Sequence, residues 1–254
     1  MVKLVAVRVS GDPTMPAAGR TWPAKLWLWA CALGILAAFV FLGFPEIDLS
    51  ISRAFHVRSG TFSGQPLGWV TALRKSFSGM FYLWIAVSLA GLVITRGSAR
   101  SWLRLSGTQW LFLAICLAMG PGILANVALK DHWGRARPKE VAEFGGSKMF
   151  TPPLIPTDQC ANNCSFVSGE AAAIFMPFYS AGLVVPQWTA ILFAVGTLCG
   201  LAAGFVRVAQ GAHFLSDVIF AGVFMAMTAV LVHRAMFGRT HLEEPNPSPL
   251  ANSP

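Results

Sequence analysis

Residues 169–206 read GEAAAIFMPFYSAGLVVPQWTAILFAVGTLCGLAAGFV. Two apolar runs stand back to back here, parted only by Pro186, Gln187 and Trp188, and Glu170 is the one charged side chain among them. In lipid such a run must satisfy its own backbone, which leaves a helix or a closed barrel. Barrel strands alternate in polarity over about ten residues, and this stretch does not alternate. It therefore reads as two membrane helices joined by a very short turn, which makes them an antiparallel hairpin.

The same signature recurs outward from the hairpin. Apolar stretches lie at roughly 26–44, 79–95, 109–129, 169–186, 188–206 and 215–236. Composition agrees: 55% of residues are hydrophobic and 12% charged, where a soluble domain carries about 25% charged residues. The expected fold is all-α, a polytopic membrane protein built as a six-transmembrane-helix bundle over 25–236. Residues 1–24 are expected to form a cytoplasmic N-terminal segment and 237–254, rich in Pro, Asn and Ser, a disordered cytoplasmic tail. No short apolar core with a small-residue cleavage site follows the first charges, so no cleaved signal peptide is expected.

The net charge is +8, from 19 Lys+Arg against 11 Asp+Glu. No basic helix or RNA-binding motif accompanies it, which argues against a nucleic-acid partner. Cytoplasmic loops of membrane proteins collect Lys and Arg. With six spans, Lys3, Arg8, Arg20, Lys25, Arg96, Arg100, Arg104, Arg234 and Arg239 share one side, read as cytoplasmic. The other side carries Arg53, Arg58, Arg74, Lys75, Lys130, Arg135, Arg137, Lys139 and Lys148, against the charge rule. Either the topology is inverted or these cations have a task, and their clustering near polar motifs favours a task. Residues 45–78 form an outer segment where Ile47, Leu49, Ile51, Phe55 and Val57 alternate with polar residues. A surface amphipathic element or a loop packed on the bundle fits that pattern. Cys160 and Cys164 sit in a polar loop and could form a disulfide in an oxidising compartment.

Polar groups at the mouths of spans are costly and need a reason. Lys130 and Arg137 bracket a loop that ends in Pro138 and could close on one anion, a point charge and a planar fork. Ser168 and Gly169 open a helix, whose N-terminus suits phosphate, with Glu170 in its first turn. Arg207, His213 and Asp217 bridge the last two spans, and on a helix His213 and Asp217 share a face. An Asp accepting one imidazole N–H fixes the tautomer and leaves the other nitrogen nucleophilic. Singly, each cluster has an ordinary explanation as an anchor, a cap or a satisfied pair. Jointly they offer three cations, an anion-binding helix end and an oriented nucleophile on one face.

The spacings Lys-x6-Arg-Pro, Ser-Gly-x and Arg-x5-His-x3-Asp resemble the tripartite signature of the type-2 phosphatidic-acid phosphatase superfamily. The resemblance covers roughly residues 79–236, with the motifs inside 130–217. It implies that His213 attacks phosphorus and forms a phosphohistidine, and that Asp217 orients it. It implies that Lys130, Arg137, Arg207, Ser168 and the Gly169 N–H hold the phosphoryl oxygens, with no metal and no cofactor. Two positions depart from the pattern. Glu170 stands where the family usually has His as the acid that protonates the leaving oxygen, and Val206 where it usually has Ser. Glu170 becomes the candidate acid, provided it stays protonated, which nearby cations oppose.

The substrate expected from the resemblance is a lipid phosphate reaching the site from the bilayer, lipid A first, at the 1- or 4′-position. Undecaprenyl diphosphate, phosphatidylglycerophosphate and phosphatidic acid are alternatives. The expected location is the bacterial inner membrane, with cytoplasmic termini, a periplasmic site and no obligate protein partner. A non-catalytic lipid-phosphate binding or transport protein is the competing class; the inverted repeats of transporters are not evident.

Overall fold

In the computed structural model the described residues are 17–58, 60–96 and 101–238. Lys3, Arg8, Arg100, Arg239 and the tail from 239 onward lie outside them. Among the described residues, five helical segments are long and apolar enough to cross a membrane: Trp22–Gly43, Gly68–Thr95, Gly107–His132, Pro186–Ala209 and Leu215–Phe237. A sixth apolar helix, Gly169–Val184, is shorter. These segments make the chain a multi-pass membrane protein. Large apolar side chains that point outward, such as Trp29, Ile35, Phe39, Leu198 and Phe205, suit lipid and would be a liability in water.

Helix α1 (Ala17–Gly43) starts ahead of its apolar span, which begins at Trp22. Helix α2 (Glu46–Arg53) follows, then a small hairpin of β1 (His56–Arg58) and β2 (Thr61–Phe62). The amphipathic stretch is thus helical over Glu46–Arg53. Helix α3 (Gly68–Thr95) begins eleven residues before the expected span at 79 (68 against 79). Arg74 and Lys75 therefore ride on a helix and not in a loop.

The third span has three parts. Helix α4 (Gly107–Leu117) opens with a capping box, Ser106 accepting from the Gln109 amide while the Gln109 side chain takes the Ser106 N–H. A π-helical stretch, Ala118–Leu129, continues it through Pro121. The Pro121 carbonyl accepts from Asn126 Nδ2 at 2.6 Å. The last turn, α5 (Lys130–His132), delivers the first motif. π-Helical turns often mark functional sites.

Helix α6 (Gly169–Val184) is the core of the bundle, packed by α3, α4, α7 and α8 and buried along nearly its whole length. The Pro186–Trp188 turn reverses the chain into α7 (Thr189–Ala209), as the sequence predicts, and α8 (Leu215–Phe237) completes the bundle. Helices α6 and α7 approach closely because glycines face aromatic rings: Gly182 meets Phe193, Gly196 meets Phe178 and Gly200 meets Phe175. Small residues commonly make membrane-helix interfaces. Over one end of the bundle, α2, the hairpin and the 133–168 segment form a cap with its own apolar cluster of Phe62, Ala136, Val141, Phe144 and Phe214. Phe62 lies against Gly211, whose φ of +63° suits glycine.

Candidate active site

The cap and the helix ends bring the three motifs together. Lys130, at the C-terminal end of the third span, lies along the start of α6. A Cβ on Gly169 would stand 2.8 Å from Lys130 Nζ and 2.6 Å from Asn126 Oδ1. The missing side chain of Gly169 is what lets the ammonium lie there. Arg137 is held by the Asn163 carbonyl, at 3.2 Å from Nε and 2.5 Å from the terminal nitrogen. Cys160 and Cys164 are joined as a disulfide around that carbonyl. The Cys164 amide donates to the Lys130 carbonyl and the Ser165 amide to the Arg135 carbonyl. The loop before α6 is thus laced to the first motif by its backbone.

Ser168 is the N-cap of α6: its hydroxyl accepts from the Ala171 amide, and its own amide donates to the Asp217 carbonyl. Its side chain is fully buried in that role. Glu170, in the first turn, carries two guanidinium groups. Arg74 Nε stands 3.0 Å from Oε1 and Arg207 Nε 3.1 Å from Oε2. Arg207 also donates to Gln210 Oε1 at 2.5 Å.

His213 is fully buried in the turn between α7 and α8. Its Nδ1 lies 2.7 Å from the Ser165 carbonyl, while Asp217 Oδ2 stands 3.7 Å away. The nearer acceptor is therefore the Ser165 carbonyl, with the Asp217 carboxylate beside it at ion-pair range. That carboxylate accepts from Ser165 Oγ at 2.5 Å, the Phe214 amide at 2.8 Å and Arg135 at 2.5 Å. Asp217 also clamps Ser165, the residue whose carbonyl holds the ring. A carbonyl only accepts, so Nδ1 carries the proton and Nε2 keeps its lone pair. Nε2 has no hydrogen-bond partner among the described residues and lies 3.9 Å from Glu170 Oε2. Burial pushes the His213 pKa below its ordinary value, against the opposing pull of Asp217. The ring is held neutral, the form a nucleophile needs.

Four contributors were not legible in the sequence. Arg74 and Arg135 stood there only among the outer cations. Arg135, between Lys130 and Arg137, is wholly buried and pairs with Asp217 and with Asp48. Asp48, from α2, also takes the Ser216 hydroxyl and amide. Burial raises the Asp48 pKa more than the Arg135 guanidinium lowers it. An acid set between Ile47 and Leu49, in the apolar alternation, was the available signal for Asp48. The Ser165 carbonyl, being backbone, had none.

Residues 109–241 match the model of the PAP2 superfamily. The chain is 32% identical over 215 residues to a Francisella tularensis subsp. novicida protein named "Lipid A 4'-phosphatase", covering 81% of this chain and 95% of that one. A Rhizobium leguminosarum protein of the same name is 30% identical over 234 residues, covering 86% of this chain and 95% of that one. A Rhizobium etli "Lipid A 1-phosphatase" is 35% identical over 117 residues, covering 44% of this chain and 46% of that one. The fold is similar to the crystal structure of a transmembrane PAP2 type phosphatidylglycerolphosphate phosphatase from Bacillus subtilis, with a TM-score of 0.51 and 19% identity over 87% of this chain and 99% of that one. The chain belongs to the PAP2 superfamily.

Proposed function

We propose that this membrane lipid phosphatase of the PAP2 superfamily removes a phosphate monoester from lipid A, at the 4′-position, on the periplasmic face. The observation that carries the reading is His213. Its Nδ1–H is fixed by a backbone carbonyl, and its unpartnered Nε2 lies 3.9 Å from Glu170 Oε2, the oxygen that Arg207 pairs with, while Lys130 lies against Gly169 at the start of α6. Support for the 4′-position comes from coverage: relatives named for it align over 81% and 86% of this chain, the 1-phosphatase over 44%. The Cys160–Cys164 disulfide in the loop beside the site supports an oxidising compartment.

In the proposed reaction Nε2 attacks phosphorus and the P–O bond to the sugar breaks. Glu170, protonated, gives its proton to the departing sugar oxygen. The proton stays on Nδ1, donated in a hydrogen bond to the Ser165 carbonyl, which stabilises the phosphohistidine cation. Water then attacks phosphorus, Glu170 takes the water's proton, Nε2 leaves with its electron pair, and inorganic phosphate departs. Arg207, Lys130 and Arg137 hold the equatorial oxygens as charge builds, and a preorganised donor of this kind is worth about 10²–10³ in rate. Ser168 serves as the cap that starts α6 in the right place.

The test is phosphate release by purified protein from a panel of lipid phosphates, lipid A included, in EDTA beside His213→Ala. Release from 4′-phosphorylated lipid A, abolished in the variant, is the expected result. Release that survives His213→Ala would sink the phosphohistidine route, and release confined to glycerophospholipids would sink the substrate.

A further inference from the structure

Glu170 sits where a substrate should. In a near-attack arrangement the reacting atoms are about 3–3.5 Å apart. Glu170 Oε2 lies 3.9 Å from the nucleophilic nitrogen, close to the distance at which phosphorus must stand. Both carboxylate oxygens are engaged by guanidinium nitrogens, Oε1 by Arg74 and Oε2 by Arg207. Phosphoryl oxygens and carboxylate oxygens compete for the same planar donors. Lys130, with Arg137 behind it, adds positive charge from the end of the third span. The groups facing Glu170 are thus Arg74 from α3, Lys130, Arg207 from α7 and His213 from the α7–α8 turn.

We infer that Glu170 is an internal stand-in for the substrate anion: the phosphoryl group displaces its carboxylate from Arg207 and Arg74, and the displaced carboxylate takes up a proton from solvent.

This rests on the phosphatase reading above and supplies what that reading lacks, a source for the acid. Before substrate arrives, two guanidinium contacts keep Glu170 as an anion, unable to donate. A phosphate dianion then takes those contacts and places negative charge beside the carboxyl. Both changes favour the neutral form. One proton enters with each dianion, and that proton later passes to the leaving oxygen. Arg74, which belongs to none of the three motifs, becomes a fourth substrate cation once released. The exchange also keeps the cationic pocket neutralised between turnovers, with the charge supplied by the chain itself.

Tungstate is a tetrahedral dianion that does not titrate near neutral pH, so proton uptake on binding it belongs to the protein. The experiment is calorimetric titration of the full chain in detergent with tungstate, in two buffers of different ionisation enthalpy. Wild type should take up close to one proton per tungstate, and its affinity should fall about tenfold per unit as pH rises from 7 to 8.5. Glu170→Gln should lose both behaviours and bind tungstate more tightly at pH 8.5. Absence of tungstate binding, binding without proton uptake, or undiminished uptake in Glu170→Gln would each overturn the exchange. The wild-type pH slope decides the matter even if the variant fails to fold. Phosphate release from lipid A, measured beside it, separates the two ideas. Release without uptake removes the exchange alone, whereas uptake without release leaves it standing and removes the phosphatase reading.

Discussion

Replacing Arg135 with Met tests the reading of the buried charge network. Arg135, Asp48 and Asp217 have no exposed side-chain surface. The guanidinium donates to Asp217 Oδ1 at 2.5 Å, Ser216 Oγ at 2.8 Å, Asp48 Oδ2 at 2.9 Å and the Thr151 carbonyl at 2.8 Å. Met fills much of the volume but strands two carboxylates away from water. Breaking a buried pair from one side costs about 3–5 kcal/mol. For a chain of this size that corresponds to a melting temperature lower by roughly 6–20 °C. The loss should depend on pH, and its sign follows from Asp48. Burial already raises the Asp48 pKa above its ordinary value, and removal of Arg135 raises it further. A carboxyl with a raised folded-state pKa gives stability that is present at low pH and lost as pH rises through that pKa. Arg135→Met should therefore be closer to wild type at pH 5 than at pH 8, and adding Asp48→Asn should recover part of the loss. Thermal unfolding in detergent across that range is the assay. An unchanged melting temperature at pH 8, or a deficit that grows toward acid, would refute the argument.

Gly169→Ala should leave the bundle folded, because the atoms its Cβ meets are the ends of Lys130 and Asn126. Displacing that ammonium should lower kcat/KM roughly 100-fold, measured as phosphate release; near-wild-type turnover would separate Lys130 from the reaction. The acid limb of kcat/KM should fall below 6.5, the ordinary histidine value, since His213 must be neutral to attack and burial lowers its pKa. A limb above that value would contradict a buried neutral nucleophile. Cys160→Ser, or reduction of the disulfide, should loosen the Asn163 carbonyl that holds Arg137. kcat/KM should fall about tenfold, the worth of one charge-assisted hydrogen bond. An unchanged kcat/KM would assign the loop another role.

The bundle was readable because apolar runs in lipid have few alternatives to helix, and the α6–α7 turn at Pro186 announced itself. The start of α3 was not, because Arg74, Lys75, Ser76 and Ser78 end the apolar run while the helix continues beyond it. The motif residues converge because Lys130, Gly169, Arg207 and His213 all sit at helix ends on one side of the bundle. What holds them was hidden. Arg135 meets Asp48 from 87 residues away, and Arg74 meets Glu170 from 96. Partners at such separations leave no mark in local periodicity. The His213–Asp217 spacing pointed to a pair, and the structure adds three other donors on that carboxylate and a backbone carbonyl as the nearer acceptor for the ring.

The π-helical stretch from Ala118 to Leu129 has an evolutionary corollary. Each residue of an α-helix turns the chain by about 100° and advances it by about 1.5 Å. Losing one residue from this stretch would swing Lys130 away from the start of α6 by about a quarter of a revolution, with no loop in between to absorb the change. Lineages descended from this chain are therefore free to lengthen the segment between α3 and α4, but the count from the Ser106 cap to Lys130 behaves as a fixed ruler. An alignment of its descendants should be gapless across that interval.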